Sequence, residues 1–191
     1  MDEQIVAIYC LCDDLLRGLS HREDPQIRMN DAEVMTTSIV AALHFGGNLS
    51  RACQFMQEYG YVPRMLSRSR FNRRLHRIRD LFLTLFACLG EHFKALNSEA
   101  RYAIDSFPIA CCDNIRIRRS RRYRGEAYRG YIASKKRYFY GVRLHLLVTQ
   151  HGQPVEFFLT AGRDNDVSVL DCYDFDLPEG AQVMADSGFT N

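Results

Sequence analysis

Apolar residues recur every three or four positions through the first hundred residues, and this spacing predicts helices. Ile5, Ile8, Tyr9, Cys12, Leu15, Leu16 and Leu19 make the first stripe. Asn30 is a good N-cap for a second helix, with Glu33 three residues on and Asp31 in the first turn; Val34 to Phe45 then run apolar up to the stop at Gly46-Gly47. A third helix is expected over Leu49 to Tyr59. Beyond Pro63, one longer helix is expected from near Ser67, carrying Phe71, Leu75, Ile78, Phe82, Leu85 and Leu89 on one stripe and Arg70, Arg73, Arg74 and Arg77 on its neighbour. Short helices ending in an arginine-lined one are the elements of a helix-turn-helix-like DNA-binding region over 1–98.

The pattern changes after Ser98. Arg101 to Pro108 reads as a short strand ended by its proline, and a basic loop is expected from about Ile109 to Lys136. From Tyr138 the period is two, with Tyr138, Tyr140, Val142, Leu144, Leu146 and Val148 on one side and Arg143, His145 and Thr149 on the other. A turn at Gln150–Gln153 and a return strand at Val155, Phe157 and Leu159 complete a hairpin. A helix capped by Asp164 or Asp166 follows through about Leu170, then a strand over Ala181 to Asp186. The fold class is therefore α+β. Three antiparallel strands, a helix and a fourth strand parallel to the first have the order of an incomplete ribonuclease-H-like core over 99–191.

Composition adds the class of partner. Lys and Arg number 25 against 23 Asp and Glu, yet residues 64–79 hold seven Arg and no acid, and residues 116–143 hold eleven Lys or Arg against Glu126 alone. From Leu144 on there are eight acids and only Arg163. Two segregated basic stretches point to a polyanion. The seven cysteines form no Cys-x-x-Cys pair, so neither a disulfide framework nor a zinc site is indicated. The acidic start lacks the positive region of a signal peptide, and the longest apolar run, Leu81 to Leu89, is too short to span a bilayer. A soluble, cytoplasmic protein without a membrane partner is the expectation.

Two acids stand out. Asp105 interrupts an apolar strand and Asp186 ends another, so each carboxylate is expected at the edge of a packed sheet, where an uncompensated charge is costly. If their strands are neighbours, a hard divalent cation would relieve the repulsion between them. The plainer alternative for Asp186-Ser187-Gly188 is an ordinary turn. The His76-x-x-Arg79 spacing, which tyrosine recombinases also contain, is set aside because no tyrosine downstream stands in a nucleophile's setting.

Seven strings in order carry a resemblance: Asn-Asp-Ala-Glu-Val-Met-Thr-Thr (30–37), Phe-Gly-Gly-Asn (45–48), Ser-Arg-Phe-Asn-Arg-Arg-Leu-His-Arg-Ile (69–78), Ile-Asp-Ser-Phe-Pro (104–108), Tyr-Arg-Gly-Tyr-Ile-Ala-Ser-Lys (128–135), Tyr-Gly-Val-Arg-Leu-His-Leu-Leu-Val-Thr (140–149) and Ala-Asp-Ser-Gly-Phe (185–189). Together they resemble a bacterial insertion-sequence transposase of the insertion sequence 982 family, among the DDE transposases. The resemblance implies metal-dependent DNA cleavage and strand transfer at the element ends, with Asp105 and Asp186 as catalytic metal ligands of a two-ion Mg2+ or Mn2+ site. It implies double-stranded DNA as partner, a homo-oligomer on that DNA, and a nucleoid-associated bacterial location. Arg68, Arg70, Arg73, Arg74 and Arg77, with Arg119, Arg121, Arg122, Lys135, Lys136 and Arg137, are the expected DNA contacts. The family's third acid, a Glu on a helix beyond the fourth strand, has no counterpart before Asn191, so a truncated, catalytically impaired transposase is expected. The alternative is a non-catalytic DNA-binding fragment that represses or inhibits transposition.

Overall fold

The computed structural model describes residues 1–113, 117, 120–132, 135–164 and 173–185, in two compact units, Met1–Phe86 and Ala87–Asn191. Five helices precede a mixed sheet of five strands, an α+β architecture: α1 (Asp2–Gly18), α2 (Asp31–Phe45), α3 (Leu49–Glu58), α4 (Arg68–Arg77) and α5 (Arg79–Leu96), then β1 (Arg101–Asp113), β2 (Arg129–Ile132), β3 (Arg137–Thr149), β4 (Pro154–Ala161) and β5 (Gln182–Ala185). Among the described residues, no helix is long and apolar enough to cross a membrane.

The first unit follows its local signals closely. Asn30 and Glu33 form the reciprocal capping box, each side chain accepting the other residue's backbone N–H at 2.7 Å. Gly46 ends α2 in the left-handed region at φ 57°, where a side chain would be strained. Ile5, Cys12 and Leu16 of α1, Val34, Met35, Val40 and Ala41 of α2, Ala52 and Met56 of α3 and Phe71 of α4 are buried.

The single long helix expected from Ser67 is two. Ile78 adopts φ −96° and ψ 15°, which ends α4 while its amide still reaches the Arg74 carbonyl at 3.1 Å. Asp80 then lies in the first turn of α5, where the positive end of the helix dipole favours a carboxylate. Ile78 and Leu85 remain buried across the break.

In the second unit β1 pairs antiparallel with β3, β3 with β2 and β4, and β5 lies parallel beside β1 in the register Arg101–Gln182 to Ile104–Ala185. The expected meander and fourth parallel strand are present; the expected helix over 164–170 falls almost wholly outside the described residues. Pro108 does not end β1, which runs on to Asp113. The Arg101 carbonyl accepts from Gln150 and the Ala100 carbonyl from Gln182, so odd residues of β1 aim their backbone groups at β3 and even ones at β5. Pro108 is even and lies past the last β5 pair at Ile104, so its missing N–H costs no ladder bond to β3.

The strand β2 lies inside the stretch expected to be loop. Gly130 permits it, because a Cβ there would stand 2.2 Å from the Gly162 carbonyl oxygen and 2.5 Å from the Phe139 ring.

The alternation along β3 holds, but its burial is the reverse of what polarity suggests. The side bearing Phe139, His145, Leu147 and Thr149 is buried, whereas Val142, Leu144, Leu146 and Val148 are half-buried. Tyr102, Ile104, Leu147 and Val155 form the core there, packed against Phe93 of α5 and against Phe175, Leu177 and Ala181. His145 is accommodated by a stacked Phe158 ring at 4.5 Å and by Thr160 Oγ1 at 3.0 Å. Lys94 fastens the helix to the sheet: its ammonium lies 2.8 Å from Glu91 and Glu156 and 3.7 Å from Asp176. Burial alone would lower the Lys94 pKa, but the hydrogen bonds and charges of Glu156 and Glu91 outweigh it and raise it above the ordinary lysine value.

Candidate functional site

The arginine stripe on α4 divides in two. Arg68, Arg70, Arg73 and Arg77 are exposed, and no ion pair or hydrogen bond ties them to a carboxylate among the described residues. Arg70, Arg73, Arg74 and Arg77 line a cleft of about 340 Å³ with Leu66. Next to it in sequence, Met65 lines a second cleft, of about 360 Å³, with Arg28 and Arg64. Arg28 was invisible as a candidate because it lies outside both basic stretches, between α1 and α2, 36 positions before Arg64. Only folding brings the two together.

Arg74 is turned inward. Its Nε donates to Asp31 Oδ1 at 2.6 Å and its Nη2 lies 3.7 Å from Glu23, with the Arg74 and Asp31 side chains 16% and 6% exposed. His21 Nε2 is 2.9 Å from Asp31 Oδ2, and Glu23 accepts the Asp31 backbone N–H. Burial would raise the Asp31 carboxyl, but hydrogen bonds from Arg74 and His21 and the Arg74 charge prevail and hold it below the usual carboxylate range. Glu23 goes the other way, raised by burial and by the neighbouring Asp31 charge despite its bond to the Asp31 N–H. The ligating atoms of His21, Glu23 and Asp31 lie within 4.8 Å of one another, a spacing that suits a metal ion, yet the Arg74 guanidinium already supplies the positive charge. Arg74 therefore ties α4 to the start of α2, in contrast to its expected place among the DNA contacts.

In the second unit Arg121, Arg122, Lys135, Lys136 and Arg137 are exposed. Arg119 lies outside the described residues, and so does Asp186. Asp105 is on β1, opposite Leu146 of β3 and next to Ile104, which pairs with Ala185 of β5. Asp186 follows Ala185 in the sequence, so the two strands that lead to the candidate acids are neighbours and parallel.

Asp105 is exposed, and one of its carboxylate oxygens accepts the Ser106 N–H at 2.7 Å. Asp105 shares an exposed face of β1 with Phe107 and Ile109, so the cost expected of an uncompensated charge at the edge of a packed sheet does not arise from burial there. No lysine or arginine pairs with it among the described residues. An exposed carboxylate with an oxygen to spare fits a hard, oxygen-liganded ion such as Mg2+ or Mn2+.

Residues 97–191, the part of the chain that contains β1 to β5, match the family model described as transposase DDE domain. The match supports a DDE transposase, and with it DNA binding and a polynucleotidyl-transferase type of activity. No curated protein and no solved structure matches the chain.

Proposed function

We propose that the chain acts in DNA transposition as a DDE transposase of the insertion sequence 982 family, its second unit belonging to a ribonuclease-H-like core that cuts and joins DNA at the ends of the element. The observation that carries this reading is the parallel pairing of β1 with β5 inside the matched domain, which sets the strand bearing Asp105 against the strand that runs into Asp186.

Asp105 and Asp186 would hold the divalent ions. When bound, such ions supply Lewis acidity to an in-line phosphodiester displacement, at the attacking oxygen and at the leaving one. The chain's own residues do the rest. Ser106 holds one oxygen of Asp105 through its backbone N–H, fixing the carboxylate's orientation on the strand. The exposed Arg68, Arg70, Arg73 and Arg77, with Arg28 and Arg64, would grip DNA phosphates, and Arg119, Arg121, Arg122, Lys135, Lys136 and Arg137 would form a second contact. The protein would work as an oligomer on double-stranded DNA in a bacterial nucleoid.

The test is nicking of supercoiled DNA carrying the element ends. The chain should nick in the presence of Mn2+ or Mg2+, and Asp105→Asn should lower the rate by about a hundredfold or more while leaving DNA affinity unchanged. DNA binding by the parent chain with no metal-dependent nicking would instead make it a non-catalytic binding fragment that represses transposition.

A further inference from the structure

The hairpin of β2 and β3 has two faces of opposite character. On one, Gly130 lets the backbone approach Phe139, which is fully buried, and the Gly162 carbonyl. That close approach fixes the hairpin on the sheet. On the other, Tyr131 and Tyr138 stand directly opposite each other, their ring centroids 4.9 Å apart, and remain 45% and 48% exposed. The Arg129 guanidinium lies 4.4 Å above the Tyr138 ring and reaches Glu126 at 3.8 Å. Lys135, Lys136 and Arg137 are exposed where the two strands turn.

A cross-strand aromatic pair strengthens any hairpin. Strength alone does not require half of each ring in water, nor a run of three cations beside them. Exposed ring faces next to positive charge are the two components of a site for unpaired nucleotides: bases stack on the rings and the backbone phosphates meet the cations. A protein surface as apolar partner would gain nothing from Lys135 and Lys136, whereas a polyanion with flat apolar bases uses both features. Paired duplex would offer only its phosphates, since its base faces are stacked on one another.

We infer that Tyr131 and Tyr138, with Arg129 and the lysines of the turn, form a stacking platform for unpaired bases of DNA, a site separate from the arginines of α4 and from Asp105. The inference rests on the transposase reading and specifies which state of the DNA the second unit holds: a strand end or distorted junction rather than intact duplex.

The experiment uses the full chain with two DNAs of one sequence, a paired duplex and the same duplex with a short single-stranded end containing 2-aminopurine. The parent chain should bind the tailed DNA more tightly and quench the probe through stacking. Tyr131→Val with Tyr138→Val keeps β propensity but removes both rings. It should abolish quenching and lower affinity for the tailed DNA by roughly tenfold or more, with duplex affinity unchanged. Tyr131→Phe with Tyr138→Phe should behave as the parent. Tyr138→Val alone, expected to lose about half the quenching, covers the case in which the double variant does not fold. Unquenched probe with a parent chain that binds duplex normally, or valine variants that quench as the parent does, would overturn the platform. Neither result touches the transposase reading, which fails separately if the parent binds no DNA.

Discussion

Replacing Arg70, Arg73 and Arg77 together by Ala should lower the affinity for duplex DNA by about a hundredfold or more near physiological salt, the largest effect expected of any surface change. Each is exposed on α4 with no carboxylate partner among the described residues, so its charge is available to a phosphate and displaces condensed counterions there. The logarithmic dependence of affinity on salt should become shallower by about three, roughly one for each phosphate contact removed. Arg163→Ala, outside the α4 stripe, should weaken binding less. Filter-binding or fluorescence-anisotropy titrations at several salt concentrations measure both, and a triple variant that loses no more affinity than Arg163→Ala would contradict the assignment.

The second large effect concerns stability. Asp31→Ala should destabilise the first unit by about 3 kcal/mol, because it leaves the Arg74 guanidinium facing a half-buried site with only Glu23, at 3.7 Å, to answer it. Thermal unfolding should show a correspondingly lower midpoint. Asp31→Leu combined with Arg74→Met should recover part of the loss, since the guanidinium is removed together with its main partner. The pH dependence has a definite sign. The Asp31 carboxyl is held below its ordinary value, so its contribution is complete above about pH 4 and disappears as the pH falls through the lowered folded-state value. Glu23 is raised and opposes this, favouring the folded state when protonated. The parent should therefore lose stability in acid more steeply than Asp31→Ala does. A flat, identical acid response in both would remove Asp31 as the titrating group.

These two predictions also separate what sequence made legible from what it did not. The α4 arginines were legible as a set, because helical spacing is local information. That Arg74 points inward was not, since its partners Asp31 and Glu23 lie on segments far upstream and are chosen only by packing. The capping box at Asn30 and Glu33 was legible for the same local reason. In the sheet, period two located β3 and β4. Which side of β3 is buried was not legible: it depends on where α5 and residues 173–181 come to rest, and they cover His145 and Thr149 in preference to Leu144 and Leu146. The strand β2 was hidden because Arg129-Gly130-Tyr131-Ile132 looks like the rest of a basic loop until Gly130 meets Phe139. Pro108 gave a false stop, since a proline interrupts a strand only where its N–H is needed.

The candidate site shows the same division. Asp105 was singled out as an acid in an apolar strand, and the adjacency of β1 and β5 agrees with the idea that brought it together with Asp186. Burial adds nothing to the case for a metal at an exposed Asp105; the repulsion expected between two converging carboxylates is a separate reason for a divalent ion. What remains is a donor argument: an exposed carboxylate on β1 with no lysine or arginine partner among the described residues, beside the parallel strand β5 that precedes Asp186 in the sequence, within a domain that matches transposases.

The claim that these two acids share divalent ions is tested most directly by Mn2+ binding, followed by electron paramagnetic resonance on the chain bound to DNA. The account predicts bound Mn2+ in the parent and an affinity at least about tenfold weaker in both Asp105→Asn and Asp186→Asn. Binding that survives both substitutions but is lost in His21→Ala would place the ion in the first unit and contradict the catalytic assignment.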